Sequence, residues 1–203
     1  MFSTGGPHER RSGLRDSRST GVLIGLAVVL AMVLPLPAQQ RPGRARLAEQ
    51  FAEHYVPPRH RQISVDGVTR EAFVYVPRPA LAEPSPVVFA FHGHGGSMNR
   101  SNEMFGYHQA WREAIVVYPQ GLPTLSPADP QGKGQGWICA GPPEQKRDVR
   151  FFDALLAALE REYKVDRNRI YAGGTSNGGF FTYTLWSARG DVLAAVAPAA
   201  ATL

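Results

Sequence analysis

Short apolar runs alternate with longer amphipathic stretches along the second half of the chain. Four runs, at 87–91 (VVFAF), 115–118 (IVVY), 169–172 (RIYA) and 192–196 (VLAAV), predict strands buried within a sheet. Stretches 101–113, 149–163 and 177–189 between them predict helices. In the middle stretch, apolar residues recur at helical spacing: Phe152, Leu155, Leu156 and Leu159. Strands that alternate with helices indicate a mostly parallel sheet with right-handed crossovers and helices on both faces.

A β-hairpin is predicted ahead of this alternating region. Residues 62–65 and 70–76 show alternating apolar positions around Asp66-Gly67, a strong turn signal. The hairpin makes the predicted α/β sheet mixed. Residues 39–60 are rich in Arg, Pro and Gln and predict a linker, so the domain is expected to occupy 61–203.

The first 38 residues have the layout of a secretory signal peptide. A basic segment precedes 14 apolar residues at 21–34, and Ala38 is a plausible cleavage position. The apolar stretch is shorter than the roughly 20 residues that span a bilayer, although an uncleaved anchor is the alternative. Both readings place the rest of the chain outside the cytoplasm, and after cleavage no stable membrane partner is expected.

Composition and charge exclude several classes of protein. An apolar fraction of 43% with 19% charged residues is typical of a globular protein. The net charge of +5 includes four arginines and two acidic residues of the leader, and no long basic run follows, so nucleic acid is not an expected partner. Cys139 is the single cysteine, and His92 and His94 lack a third ligand at workable spacing. Neither a metal nor a cofactor is therefore expected.

The segment 171–179 (YAGGTSNGG) contains the pattern Gly174-x-Ser176-x-Gly178 between a predicted strand and a predicted helix. In a nucleophile elbow the serine occupies a sharp, strained turn that exposes its hydroxyl, and side chains at the flanking glycines would collide with backbone. The alternative is a structural glycine-rich turn. The flanking elements favour Ser176 as a catalytic nucleophile.

A second glycine-rich segment, 91–96 (FHGHGG), follows the buried strand at 87–91. Its glycines, Gly93, Gly95 and Gly96, allow backbone N–H groups to approach a substrate oxygen and form an oxyanion hole. We expect the N–H groups of His94 and Asn177 to be the two donors, with the N–H of Gly93 as the alternative to that of His94.

These segments together resemble the poly(3-hydroxybutyrate) depolymerase and feruloyl esterase group of α/β-hydrolases. The resemblance rests on FHGHGG, VVYPQG at 116–121, Trp137, RDVRFFDALL, RIYAGGTSNGGF and AAVAPAA, in that order. It implies an α/β-hydrolase fold and extracellular hydrolysis of polyester, short-chain or hydroxycinnamoyl esters through an acyl-enzyme at Ser176. A serine peptidase of the same fold is the enzymatic alternative.

The chain departs from this resemblance in its catalytic triad. α/β-Hydrolases order the triad Ser, Asp or Glu, then His, but all six histidines here precede Ser176, and Asp191 is the single later carboxylate. We expect a fold truncated after about its sixth strand, with the triad Asp and His beyond Leu203. The alternatives are a secreted non-catalytic binding protein, or His92 or His94 acting as a rearranged base rather than packing the loop.

Two further residues have two possible roles each. Asp148 is expected to cap the helix that follows it, or else to line the site. Trp137 lies in a glycine-rich segment, 132–141, and either packs over the acyl pocket or anchors that loop.

Overall fold

A computed structural model describes residues 55–141 and 146–202, with side chains from residue 59 onward. The leader at 1–38 and the part of the predicted linker at 39–54 lie outside the described residues. No helix in the described part of the chain combines the length and the apolar character that crossing a membrane would require.

The predicted hairpin is present and longer than expected. Strand β1 (Tyr55–Val65) pairs antiparallel with β2 (Val68–Pro77). The turn residues Asp66 and Gly67 have φ of 52° and 78°, the left-handed values that a two-residue hairpin turn requires. Residues 55–60 of the predicted linker therefore form strand. The prolines that suggested a linker coincide with a shift of register between Val56 and Arg59, a position where an edge strand tolerates proline.

Four strands that follow the hairpin lie parallel to one another: β3 (Ser85–Phe91), β4 (Ile115–Pro119), β7 (Val165–Thr175) and β8 (Ala195–Ala199). Together with the hairpin they form a six-stranded main sheet in the order β1-β2-β4-β3-β7-β8. Strand β2 joins β4 antiparallel, so the sheet is mixed and mostly parallel, as predicted. Two short strands, β5 (Leu122–Pro123) and β6 (Gln135–Gly136), form a separate antiparallel pair.

Strand β8 begins three residues later than the predicted strand at 192–196. The N–H groups of Val192 and Leu193 donate to Arg189 O, which closes the loop after the preceding helix. Leu193 is buried against the core from this loop. The apolar character that predicted a strand there serves loop packing instead.

Helices cover both faces of the sheet. They are α1 (Met98–Phe105), α2 (Tyr107–Ala110), α3 (Arg147–Glu162) and α4 (Asn177–Arg189), with a 3₁₀ turn at Arg78–Leu81. Side chains of β3 alternate between the two sides: Phe89 joins the core that contains α3 and α4, and Val88 joins the one that contains Met98 of α1. This arrangement confirms the predicted α/β-hydrolase class.

Two helix predictions required correction at their ends. The helix expected over 101–113 is interrupted at Gly106, whose φ of 55° ends α1 with a bond from its N–H to Asn102 O. Helix α3 begins at Arg147 with Lys146 as its N-cap, so Asp148 lies in the first turn and is not the cap.

Candidate active site

Ser176 occupies a strained turn between β7 and α4. Its φ of 52° and ψ of −120° lie outside the regions that residues with a side chain usually adopt. Such strain costs on the order of 1–3 kcal/mol and persists only where the surrounding structure imposes it. The N–H of Ser176 donates to Ala199 O of β8 at 2.9 Å, and the residue is exposed. The turn therefore presents the hydroxyl to solvent at the carboxyl edge of the sheet.

Some residues around Ser176 must be glycines for steric reasons. A Cβ at Gly174 would lie 2.4 Å from Gly178 O, and one at Gly178 would lie 2.3 Å from Phe91 O. Gly179 is equally restricted, because its Cβ would lie 2.6 Å from Ala199 O, and the sequence pattern did not single it out. The backbone of this turn is thus in direct contact with the end of β3 and with β8.

Helix α4 begins directly after the serine, so the N–H of Asn177 is among those with no acceptor within the helix. The Asn177 side chain makes two reciprocal hydrogen bonds with the backbone of Trp137. Its Oδ1 accepts from Trp137 N–H at 2.8 Å, and its Nδ2 donates to Trp137 O at 3.0 Å. The first residue of α4 is therefore fixed to the segment that follows β6.

The glycine-rich loop after β3 faces the serine turn. A Cβ built on Gly93 would lie 3.5 Å from Ser176 Cβ, so the two backbones approach closely. The N–H of Gly95 donates to Gln135 O, and that of Gly96 donates to Gly93 O. Among the described residues no acceptor engages the N–H of Gly93 or of His94. The N–H of His94, or that of Gly93 as its alternative, stays a predicted oxyanion donor.

His92 is part of the loop's internal structure. Its Nδ1–H donates to Gly93 O at 2.8 Å, and its Nε2 accepts from Gly121 N–H at 3.0 Å. Burial lowers the pKa of this imidazole below its ordinary value of 6.5, which keeps it neutral. With both ring nitrogens occupied, His92 cannot take a proton from Ser176 without breaking the loop.

The His94 ring is also engaged elsewhere. Its Nε2 lies 3.0 Å from Asp129 Oδ2, and its Nδ1 is buried with no hydrogen-bond partner in the part of the chain that the structure describes. No side chain among residues 59–141 and 146–202 hydrogen bonds to Ser176 Oγ. Within the described residues, Ser176 thus has the strained turn of the predicted elbow and no hydrogen-bonded base.

Comparison with known protein families shows to which family the chain belongs. A family model described as acetyl xylan esterase (AXE1) matches residues 64–200, about two thirds of the chain. The chain belongs to the acetyl xylan esterase family. Its sequence relatives include the bifunctional acetylxylan esterase/xylanase XynS20E of Neocallimastix patriciarum, 31% identical over 65% of this chain and 18% of that protein. Feruloyl esterase D of Neurospora crassa is 28% identical over 56% of this chain and 39% of that protein.

Solved structures carry the same fold. A thermostable esterase superposes with a TM-score of 0.54 at 21% identity, covering 73% of this chain and 41% of that one. The acetyl xylan esterase from Aspergillus awamori gives 0.52 at 18% identity, covering 68% and 50%. The chain thus spans half or less of the length of each of these four proteins. The esterase part of the predicted resemblance is confirmed, and feruloyl esterases are among the relatives.

A cavity of about 620 Å³ opens beside the start of α4 in this acetyl xylan esterase family member. Asn177 and Trp137 border it, and most of its remaining lining is apolar, including Leu125, Ile138 and Phe180. Trp137 itself is 1% exposed, its Nε1–H donates to His92 O at 2.8 Å, and its ring stacks on Phe181. Trp137 therefore anchors the loop and also forms part of the cavity wall.

Cys139 lies at the border of the same cavity. Its Sγ contacts Asn177 O at 3.5 Å, but burial raises the pKa of the thiol to about 12. A protonated thiol is a poor nucleophile, so Cys139 behaves as a small, partly buried packing residue.

The sequence analysis did not predict the buried ion pair between Arg70 and Asp148. Arg70 of β2 donates to Asp148 Oδ1 at 2.8 Å, and its guanidinium lies 4.1 Å from the centre of the Phe151 ring. The other carboxylate oxygen of Asp148 accepts from Ile138 N–H at 2.9 Å. Asp148 is thus neither a helix cap nor a site-lining residue: it fixes the segment that pairs with Asn177. An arginine at a strand start carries no local signal of such a partner.

Proposed function

We propose that this chain is the nucleophile-bearing part of a serine hydrolase that cleaves carboxylic esters. The observation that carries the proposal is the juxtaposition of Ser176, exposed in a strained turn, with the loop N–H groups of Gly93 and His94, which no acceptor among the described residues engages. Membership of the acetyl xylan esterase family supports an ester rather than a peptide substrate.

In the proposed reaction Ser176 Oγ attacks the ester carbonyl carbon. The new C–O bond forms while the hydroxyl proton passes to a base, and the carbonyl oxygen becomes an oxyanion held by N–H groups of His94 and Asn177. Collapse breaks the ester bond, the alcohol leaves with a proton, and water hydrolyses the acyl-enzyme in a second step. The loop histidines are not the proposed base, because His92 has both ring nitrogens engaged and His94 Nε2 is held by Asp129.

Acetyl and hydroxycinnamoyl esters are the proposed substrate class, because the relatives include acetylxylan and feruloyl esterases. The cavity beside Asn177 supports the larger of these groups, since about 620 Å³ with mostly apolar walls exceeds what an acetyl group fills. Polyester remains a further prediction of the sequence resemblance. We also propose secretion, on the signal-peptide pattern at 1–38.

Trapping the acyl-enzyme tests the nucleophile. The 203-residue chain is incubated with p-nitrophenyl acetate, quenched in acid and digested with trypsin. We expect an acetyl group on Ser176 in peptide 170–189, because nitrophenolate is a good leaving group even without a base. The adduct should persist, because water attacks the unactivated acetyl-serine ester slowly when no base assists it. Ser176→Ala should lose the adduct. Ser187→Ala, which changes an exposed serine of the same peptide, should retain it. Acetylation that is equal in Ser176→Ala would contradict the proposal.

A non-catalytic binding protein is the second candidate. It is favoured by one observation, the absence of a hydrogen-bonded base at Ser176 within the described residues. The reading frame after codon 203 discriminates between the two candidates: a continuation that carries Asp and His supports the esterase, and a stop codon supports the binding protein.

A further inference from the structure

The His94 side chain occupies a slot formed by the glycine-rich segment at 132–141. A Cβ at Gly134 would lie 2.6 Å from His94 Nε2, and a Cβ at Gly136 would lie 2.8 Å from His94 Nδ1. The imidazole ring therefore fits because both positions lack side chains. This contact accounts for two of the glycines of a segment to which the proposed reaction assigns no role.

Asp129 closes the end of this slot. Its Oδ2 accepts from Gly134 N–H at 2.7 Å and from His94 Nε2–H at 3.0 Å. These two bonds, the backbone one first, lower the pKa of the carboxyl to about 2, so it is ionised at neutral pH. The same carboxylate oxygen thus holds both the loop after β3 and the segment before β6.

Gly136 connects this slot to the other side of the serine turn. Its hypothetical Cβ would lie 2.9 Å from Asn177 Oδ1 as well as 2.8 Å from His94 Nδ1. The two residues whose N–H groups are expected to hold the oxyanion therefore both pack on one glycine. A displacement of the His94 ring would move the backbone N–H that belongs to the same residue.

We propose that Asp129 and the His94 side chain are positioning residues for the oxyanion hole. This proposal rests on the proposed function and deepens it. Asp129 acts through His94: the charge-assisted bond fixes the ring in its slot, and the ring fixes the His94 N–H opposite Ser176. Neither side chain contacts the substrate, and neither transfers a proton.

The test measures the rate of Ser176 acetylation by p-nitrophenyl acetate in the full chain, with imidazole added as an external base. Asp129→Ala and His94→Ala should each slow acetylation about 10-fold, which is less than the roughly 10²–10³-fold cost of deleting a donor, because the N–H remains but is misplaced. The double variant should be no slower than either single variant, since the two side chains act as one unit. His94→Gln places an amide donor near Nε2 and should recover most of the rate.

Asp166→Ala is the matched control. Asp166 also accepts a backbone N–H and a side-chain donor, and its pKa is also lowered, but it lies at the start of β7, at the opposite end of that strand from Ser176. This variant should acetylate at the wild-type rate. Hydrogen exchange of the Gly95 amide, which donates to Gln135 O, provides a readout that does not depend on Ser176 chemistry. It should accelerate in Asp129→Ala and not in Asp166→Ala.

The outcomes separate the two proposals. Equal acetylation rates in wild type and Asp129→Ala would overturn the positioning role, as would additive losses in the double variant. If the wild-type chain shows no adduct on Ser176, the proposed function is wrong. The Gly95 amide then decides the positioning role: faster exchange in Asp129→Ala supports it, and unchanged exchange overturns it.

Discussion

The serine turn and the loop that faces it are held by different kinds of contact. The turn is fixed by backbone against backbone, where Gly174 and Gly178 admit carbonyl groups that any Cβ would exclude. The loop at 91–96 is fixed by side chains from distant segments, through His92 to Gly121, Trp137 to His92 O, and His94 to Asp129. The turn therefore tolerates no added atom, whereas the loop depends on polar groups being satisfied.

The largest effect should come from removing the buried ion pair between Arg70 and Asp148. Asp148→Ala leaves Arg70 charged and buried, and it removes the acceptor of Ile138 N–H. Removing one partner of a buried ion pair costs about 3–5 kcal/mol, which we expect in urea unfolding. Asp153→Ala is the matched control on α3, because its pair with Arg189 is partly exposed and should contribute less than about 1 kcal/mol. Equal losses in the two variants would show that the buried pair stabilises the fold no more than the partly exposed pair does.

The second-largest effect on stability should come from adding a side chain in the serine turn. Gly178→Ala places a methyl group 2.3 Å from Phe91 O, and a backbone carbonyl cannot move aside without shifting β3. We expect a loss of about 3 kcal/mol in the free energy of unfolding. Ser176→Ala changes the same turn without adding an atom and should leave stability within about 0.5 kcal/mol of wild type. A Gly178→Ala variant as stable as Ser176→Ala would contradict the steric account.

The contrast between turn and loop also explains how far the sequence could predict the site. The elbow pattern and the helix at 177–189 were predicted with correct bounds, because the signals lie within a few residues of one another. The Arg70–Asp148 and His94–Asp129 contacts join residues 78 and 35 positions apart, and no local pattern pairs them. Asp148 was expected to cap its helix or to line the site for the same reason: its place beside the helix could be predicted from the sequence, and its buried arginine partner could not.

Acidification should have the smallest effect on stability, and it should act through His92 of the loop. Burial lowers the native pKa of His92 below 6.5, so the unfolded chain binds a proton at a pH where the native chain does not. Stability is then complete above about pH 6.5 and decreases as the pH falls toward the native pKa. His108, whose pKa is also lowered by burial, contributes in the same direction. Urea unfolding from pH 7 to pH 5 should show a weaker pH dependence in His92→Gln, and a dependence equal to wild type would refute the role of His92.

The central claim is that Ser176 is a correctly placed nucleophile whose base does not come from the loop histidines. Steady-state hydrolysis of p-nitrophenyl acetate by the 203-residue chain tests it most directly, with Ser176→Ala and His94→Ala measured beside it. We predict turnover no faster than that of Ser176→Ala, because the oxyanion donors, which can supply a residual acceleration of up to roughly 10³–10⁴-fold over water, are present in both proteins. Added imidazole should accelerate hydrolysis further in wild type than in Ser176→Ala. Robust turnover without imidazole that disappears in both Ser176→Ala and His94→Ala would contradict the claim and make His94 the base.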